Sequence, residues 1–395
     1  MSGRTSAQVL IGDRVVGVLE QRAGKVSFRY LDRAPDRPVL GLHYEYNPRK
    51  VENPPGGQLP SWFSNLLPER ESGLRRLVTA QLGLKSVSDF ALLVHLGQDL
   101  PGAVRVIGED VDPEGPAEDA AARSGAQKMS FSLAGMQVKL SMARTPAGFR
   151  YVGVGGDWIV KFPSRSHDLL PENEHAMMTW AALAGIEVPD HLLVPVGDLE
   201  NIPPELTTVG GTAFAIRRFD RSGGGRVHQE DFAQVFGLLP YQKDRGQAED
   251  VGRVIHRECP SDLDQYVRRL AACMVMGNTD EHLKNWSLQY PGGRVRRLSP
   301  AYDFVSVMSY EGFRRDILTL PLAGQPDTRY ITLEHFRGFA GTVGADPDAV
   351  AAAVQDVVGA MADSWPAVRE RCPVPDFVAA HIEERLRSLP LVKEA

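Results

Sequence analysis

Cysteine is scarce here: Cys259, Cys273 and Cys372 are the whole complement of a 395-residue chain, odd in number and far apart. That excludes a disulfide framework and a cysteine-based zinc site, and a reducing cytoplasm is the simplest compartment. No apolar run is long enough to span a bilayer, and Met1 to Leu19 contains no apolar core of signal-peptide length, so neither export nor a membrane role is expected. Excess positive charge is missing too. A formal net charge of -6 argues against a strong nonspecific nucleic-acid surface, although local basic patches are compatible with it. His167, His175, His228 and His256 are dispersed without metal-ligand spacing, and there is no internal repeat.

The remaining composition is that of an ordinary globular protein, with 43% hydrophobic and 24% charged residues. The length exceeds one typical core, so two or three domains are expected. Val15 to Glu20 and Val26 to Leu31 flank Arg22-Ala23-Gly24 and read as a β-hairpin. A helix is predicted from Leu66 through Leu82 with Pro68 in its first turn, another over Ser88 to Leu96, and a strand over Gly102 to Ile107. Residues 1–108 thus form a small α+β module. Residues 109–127, acidic and then rich in Pro, Gly, Ala and Ser, read as a linker.

Beyond the linker, Phe131 to Met142, Phe149 to Val154, Trp158 to Phe162 and Thr212 to Phe219 alternate as strands, and Pro171 to Ala184 carries a helical apolar stripe. Gly153 to Gly156 reads as a hairpin turn, and Gly223-Gly224-Gly225 as a flexible connection. After Glu230 the pattern is mainly helical, including Asp262 to Met276, Pro347 to Met361 and a partly solvated Asp376 to Leu386. The expected fold is α+β: the N-terminal module, a strand-rich lobe over 128–228 and a helical lobe over 229–395. That is the lobe order of a kinase.

One constellation narrows the chemistry. Asp280 stands five residues before Asn285 in Gly277-Asn278-Thr279-Asp280-Glu281-His282-Leu283-Lys284-Asn285, and Asp303 follows in Tyr302-Asp303-Phe304 after a short basic hairpin. Phosphoryl transfer needs Mg²⁺ held by a few hard oxygens, plus a separate carboxylate to accept or orient the proton of the attacking hydroxyl. Asn285 and Asp303 can supply the first and Asp280 the second. Alone, D-x-x-x-x-N also describes a capped helix or a turn. Lys161, in the apolar strand Trp158 to Phe162, precedes a helix carrying Glu172 and Glu174, either of which could pair with it. Ser132 to Lys139 could cradle phosphates or be a plain hairpin turn; it lacks the G-x-G-x-x-G of ordinary protein kinases.

The chain resembles the HipA family of serine/threonine kinase toxins. The resemblance rests on Asn65-Leu66-Leu67-Pro68-Glu69, Leu96 to Ala103, Ser132 to Leu140, Arg218-Phe219-Asp220-Arg221, Gln229-Glu230-Asp231-Phe232 and Gly277 to Asn285, and so runs over nearly the whole length. It implies a bacterial type II toxin–antitoxin module in which a HipB-like helix-turn-helix antitoxin binds the toxin and carries most operator-DNA recognition. It also implies growth arrest through phosphorylation of a cellular protein, in some members an aminoacyl-tRNA synthetase. A dimer within a twofold antitoxin complex is compatible with this.

Carried over by position, the resemblance makes Asp280 the catalytic base and Asn285 and Asp303 the Mg²⁺ ligands. Lys161 and the loop Ala134, Gly135, Met136, Gln137, Val138 and Lys139 match the ATP-phosphate contacts. His282, Leu283, Lys284, Asn285, Tyr302, Asp303, Phe304 and Val305 match the rest of the nucleotide site, and Arg217, Arg218 and Phe219 the adenine hinge. Ser132 matches an autophosphorylation site whose modification expels the phosphate loop. Its phosphate would add roughly −1.5 to −2 charge beside ATP. Two departures stand out: Arg217 occupies a hinge position that is acidic in the familiar pattern, and Met136 and Val138 make the phosphate loop bulkier. Two other classes stay in play: a small-molecule or lipid kinase, which shares the core motif but is disfavoured by the N-terminal module and the Ser132 loop, and a noncatalytic antitoxin-binding corepressor, which predicts no phosphoryl transfer.

Overall fold

A computed structural model describes residues 5–31, 34, 36–47, 51–52, 54, 57–70, 72–109, 138–146, 148–164, 166–207, 210–313 and 315–395. Ser132 and Ala134 to Gln137 therefore lie outside the described residues. No helix among those described is long and apolar enough to cross a membrane.

The first sheet is antiparallel, with β1 (Thr5–Ile11), β2 (Arg14–Arg22), β3 (Lys25–Tyr30) and β4 (Val104–Glu109) in the order β3-β2-β1-β4. The expected hairpin is present, and its turn residues Ala23 and Gly24 both have positive φ, as a two-residue turn between twisted strands requires. Two helices cover the sheet. In α1 (Gly73–Gln81) and α2 (Asp89–Leu96) the hydroxyls of Ser72 and Ser88 cap the first turns, each accepting a backbone N–H at 3.2 Å. The helix expected from Leu66 starts only after Ser72, and Pro68 is not in it. Leu66 and Leu67 are buried, and the Asn65 amide donates to the carbonyls of Ser61 and Leu238. Tertiary contacts thus take over the segment that periodicity gave to the helix.

The second sheet contains β5 (Lys139–Thr145), β6 (Gly148–Tyr151), β7 (Trp158–Lys161), β8 (His191–Pro195), β9 (Leu199–Glu200) and β10 (Thr212–Arg217) in the order β8-β10-β7-β5-β6-β9. Only the β6–β9 pairing is parallel. Gly153 to Gly156 is not the expected hairpin turn, because β6 and β7 lie on opposite sides of β5 and the segment must cross it. A Cβ on Gly156 would stand 2.6 Å from the Met142 nitrogen. Gly223 and Gly224, expected as a loose connection, instead form a tight turn pairing Arg221–Ser222 with Gly225–Arg226.

The helical half contains α4 (Ala248–Glu258), α5 (Leu263–Met276), α6 (Leu333–Val343), α7 (Pro347–Arg371) and α8 (Asp376–Ser388), with a small sheet of β11 (His228–Asp231), β12 (Ser287–Tyr290) and β13 (Arg297–Leu298). α5 is buried along most of its length and packs on α7. Arg385 of α8 is buried rather than solvated, donating to the Met274 carbonyl and, at 2.7 Å, to Asp316. The helix α3 (Leu170–Leu183) bridges the second sheet and this half: it packs on β8, β10 and α7, and Trp180 lies against Trp365 and donates to the Met361 carbonyl at 2.9 Å.

Burial divides the chain less simply than sequence order does. One apolar cluster runs from Val9, Phe28 and Leu93 of the N-terminal module into Leu140, Trp158 and Val160 of the second sheet. The other unites α3 with the helical half. The N-terminal module therefore shares a core with the strand-rich half. A polar seam completes the docking. Buried Glu230 accepts from the Leu42 N–H at 2.8 Å and Trp62 Nε1 at 3.0 Å, and from the Tyr290 hydroxyl. Gly102, with φ +76, passes so close to β11 that a Cβ would stand 2.8 Å from the Gln229 nitrogen.

Candidate active site

A cleft of about 400 Å³ opens between the second sheet and the helical half, a volume suited to a small-molecule ligand. Its walls combine apolar Ile159, Ile216 and Phe219 with Lys161, Asp280, Asn285 and Asp303.

The loop bearing Asp280 is set by the end of α5. Gly277 terminates that helix with φ +69, and the Asn278 N–H returns to the Cys273 carbonyl at 2.8 Å. A Cβ at Gly277 would lie 2.9 Å from His381 Nε2, so space as well as φ requires glycine. Backbone bonds then fold the loop over: His282 N–H to the Asp280 carbonyl at 2.8 Å, and Asn285 N–H to the His282 carbonyl at 2.9 Å. The Asn285 amide nitrogen donates to the Asp280 carbonyl at 3.2 Å, leaving its amide oxygen as a candidate ligand.

Opposite stands Lys161 on β7. Its ammonium donates to Glu174 Oε1 at 2.5 Å and to Asp303 Oδ1. Glu174, not Glu172, is the helix partner. Two further contacts bring these groups together: Asn173, one residue before Glu174, bonds both the N–H and the carbonyl of Ser306, which ties α3 to the Asp303 segment. Asp303 has φ +60, a left-handed conformation unusual outside glycine and characteristic of functional turns.

Burial opposes charge on Lys161, but the carboxylates of Asp303 and Glu174 outweigh it and hold the ammonium charged. Burial also opposes charge on Asp303, yet Lys161 and then Lys139 keep its carboxyl well below the ordinary range. Glu174 is the weaker acid: burial lifts it to about 7 against the pull of Lys161. With two carboxylates facing one ammonium, Asp303 is the one held firmly ionised. Asp280 is solvent-accessible at the mouth, but crowding by protein lifts its carboxyl to about 6, opposed chiefly by Lys243 and aided by Asp244, Asp303 and Glu69. His282 is driven down to about 3 by burial and by Lys243, so its imidazole is neutral.

Among the described residues no three His, Cys, Asp or Glu side chains converge on a closed metal site. Asn285 and Asp303 provide two hard oxygen donors at an open cleft. Such a partial set fits Mg²⁺, which retains waters and takes further oxygens from substrate phosphates.

Asp280, Lys139, Lys161, Arg217, Arg218, Phe219, His282, Lys284, Asn285, Tyr302, Asp303 and Val305 all line the cleft. Others of the expected set do not. Leu283 and Phe304 are buried in the helical core, because alternate side chains of these turns must point inward to anchor them. Val138 packs with the first apolar cluster instead of the cleft. Arg218 spends its guanidinium on Asp220 at 2.9 Å, with Asp99 and Ser141 at 3.5 and 3.0 Å, and is 2% exposed, so it binds parts of the protein together. Lys284 is tied to Asp231 at 2.6 Å and to Asn65 at 3.0 Å. Sequence reasoning did not place Glu69, Gln234, Lys243 or Tyr310 in the cleft. No spacing could have done so, since Glu69 and Lys243 meet across 174 positions.

The fold and the cleft together define a two-lobed, kinase-like α+β protein, as expected. Residues 7–107 match the HipA N-terminal domain and residues 131–365 the HipA-like C-terminal domain. The chain belongs to the HipA family. It is 37% identical over 351 residues to the Sinorhizobium fredii protein named "Putative kinase Y4dM", covering 85% of this chain and 83% of that one. A second protein of that organism, "Putative kinase Y4mE", is 29% identical over 337 residues, covering 75% and 76%. Among solved structures, the HipA of Shewanella oneidensis MR-1, in a complex with HipB and operator DNA, matches over 98% of both chains with a TM-score of 0.71 at 21% identity.

Proposed function

We propose that this chain is an ATP-dependent serine/threonine protein kinase and the toxin of a bacterial toxin–antitoxin module. One observation carries the reading: Lys161, clasped by Glu174 and Asp303, lies in the same cleft as the Asp280–Asn285 loop. An ammonium fixed by a helix glutamate, an aspartate in a left-handed turn and a separate carboxylate are the parts phosphoryl transfer requires.

In this reading the adenine enters between Ile159, Ile216, Phe219 and Tyr302, all of which line the cleft. Lys161 holds the phosphates, assisted by the loop Ala134 to Lys139. Asn285 and Asp303 would hold Mg²⁺, which would supply charge neutralisation to the phosphate oxygens. The substrate hydroxyl oxygen bonds to the γ-phosphorus, the bond from that phosphorus to the β–γ bridging oxygen breaks, ADP departs and the hydroxyl proton passes to Asp280. Ser132 is the self-modification site, and a phosphate there would repel ATP.

The Shewanella HipA is bound with HipB and operator DNA. By analogy, a HipB-like antitoxin is the partner here and supplies most of the DNA contact, in keeping with a net charge of -6.

Incubation of the purified full chain with Mg²⁺ and γ-labelled ATP tests the reading. Labelled protein is expected, with the label mapped to Ser132 and lost from that site in Ser132→Ala. Asp280→Ala should slow transfer about 10²- to 10⁴-fold. Absence of label on the chain and on every protein of a lysate would sink the proposal; label confined to small molecules would redirect it to a small-molecule kinase.

A further inference from the structure

Most cations lining the cleft are already committed. Lys161 serves Glu174 and Asp303, and Arg218 is locked in its cluster with Asp220. Lys284 is 7% exposed in its side chain and held by Asp231 and Asn65. Arg217 pairs with Asp190 at 3.3 Å and its side chain is half exposed. Lys243 differs. It has one ion-pair partner among the described residues, Glu69 of the N-terminal module, at a loose 3.3 Å with both side chains about a quarter exposed. Such a pair is readily exchanged for a stronger one.

The backbone of Lys243 is, by contrast, firmly placed. Its carbonyl accepts the Leu283 N–H at 3.0 Å, which fastens it to the turn that carries Asn285. Its N–H closes a short 3₁₀ turn by donating to the Pro240 carbonyl at 3.3 Å. A fixed stem with a loosely held charge suits a group that must reach a ligand. Lys243 also lines the same cleft as Asp280, Asn285 and Asp303, so its ammonium opens onto the space where the transferring phosphoryl group would sit.

We infer that Lys243 is a further catalytic residue of this cleft: its ammonium leaves Glu69 and meets the oxygens of the phosphoryl group as it transfers. Glu69, supplied by the N-terminal module, holds that ammonium until ATP arrives. The inference rests on the kinase reading above. Lys243 keeps its proton throughout; bonds and proton move as already described, and its charge opposes the negative charge on the transferring oxygens. The N-terminal module thereby contributes a side chain to the control of the active site.

The test uses the full chain with Mg²⁺ and ATP, reading the initial rate of self-phosphorylation against ATP concentration, with the unfolding midpoint of each variant alongside. Lys243→Met should lower kcat about 10²- to 10³-fold, the effect of removing one group that stabilises transition-state charge, while KM for ATP stays within about threefold. Lys243→Arg, which keeps the charge, should recover at least about a tenth of the parental rate. Glu69→Gln should act in the other direction, raising kcat/KM about two- to fivefold, because a weak ion pair no longer has to break. Should Lys243→Met not fold, Lys243→Gln carries the same comparison. Parental kcat in Lys243→Met or Lys243→Gln overturns the inference alone. So does a Glu69→Gln loss as deep as that of Lys243→Met, which would make the pair a clamp between modules. A parent chain that transfers no phosphate defeats the kinase reading itself and this inference with it.

Discussion

Asp99 lies far along the chain from the catalytic motifs, yet its removal should be among the most damaging single changes in the protein. The side chain is fully buried. Its Oδ1 accepts from Arg221 Nη2 at 2.6 Å and Arg218 Nη1 at 3.5 Å, and its Oδ2 accepts the Gly155 N–H at 3.0 Å. Asp220 is the second carboxylate, receiving two 2.9 Å bonds from Arg218 and one of 2.7 Å from the Gly102 N–H. Two buried guanidinium groups thus face two carboxylates. Asp99→Ala leaves one positive charge without its counterpart and orphans a backbone N–H, which should destabilise the protein by about 3–5 kcal/mol. With a urea dependence of about 2–3 kcal/mol per molar, the unfolding midpoint should fall by roughly 1–2.5 M. Because Arg218 sits between Arg217 and Phe219, the ATP KM should rise in parallel. Asp99→Asn, which keeps an acceptor and loses only the charge, should be milder. A Asp99→Ala midpoint equivalent to less than about 1 kcal/mol of loss would refute the reasoning, because the cluster would then be balanced by water rather than by its own charges.

Acid should silence transfer: with Asp280 at about 6, roughly a tenth of molecules are ionised at pH 5, so kcat should be about tenfold below its plateau there, read from initial rates between pH 5 and 8. The sign is opposite for stability. A carboxyl raised above its ordinary 3.8 contributes stability present below that value and lost as pH rises through about 6, so acid inactivation cannot be assigned to unfolding through this group. Gly277→Ala should cost about 1–2 kcal/mol for the left-handed backbone alone, plus the approach to His381, and should lower both the thermal midpoint and kcat. Glu230→Ala strips the acceptor from Leu42, Trp62 and Tyr290; a loss of about 3 kcal/mol or more is expected, with hydrogen exchange rising first around Leu42 and Trp62. An unchanged exchange pattern would mean that the apolar cluster alone holds the N-terminal module.

Much of the fold was legible where the signal is local. The β2–β3 hairpin follows from two β-rich runs and a Gly-containing turn, and α3 and α5 follow from apolar periodicity bounded by Pro171 and Gly277. That Asp280, Asn285 and Asp303 belong to one cleft was legible because the expected chemistry constrains residue types within a short span. The errors have local causes as well. Leu66 and Leu67 carry helical periodicity but are used to bury the start of the N-terminal seam, and Gly153 to Gly156 looks like a turn when strand order makes it a crossing. Leu283 and Phe304 sit inside correct motifs, yet a motif cannot say which of its side chains face inward.

By itself, then, the sequence determined the α+β class, the strand-rich-then-helical lobe order and the residue types that Asp280, Asn285, Asp303 and Lys161 bring to the cleft, because each depends on residue type over a few neighbouring positions. Only the tertiary structure decided that Glu174 rather than Glu172 meets Lys161, that Arg218 is spent on Asp220 and Asp99, and that Glu69 reaches Lys243 beside the catalytic loop. Those pairings join residues from 2 to 174 positions apart. Helix phase and burial select Glu174, the turn at 218–221 brings Asp220 to Arg218 locally, and the packing of the N-terminal module selects Asp99 and Glu69; these last two pairings are not encoded in any short stretch of chain.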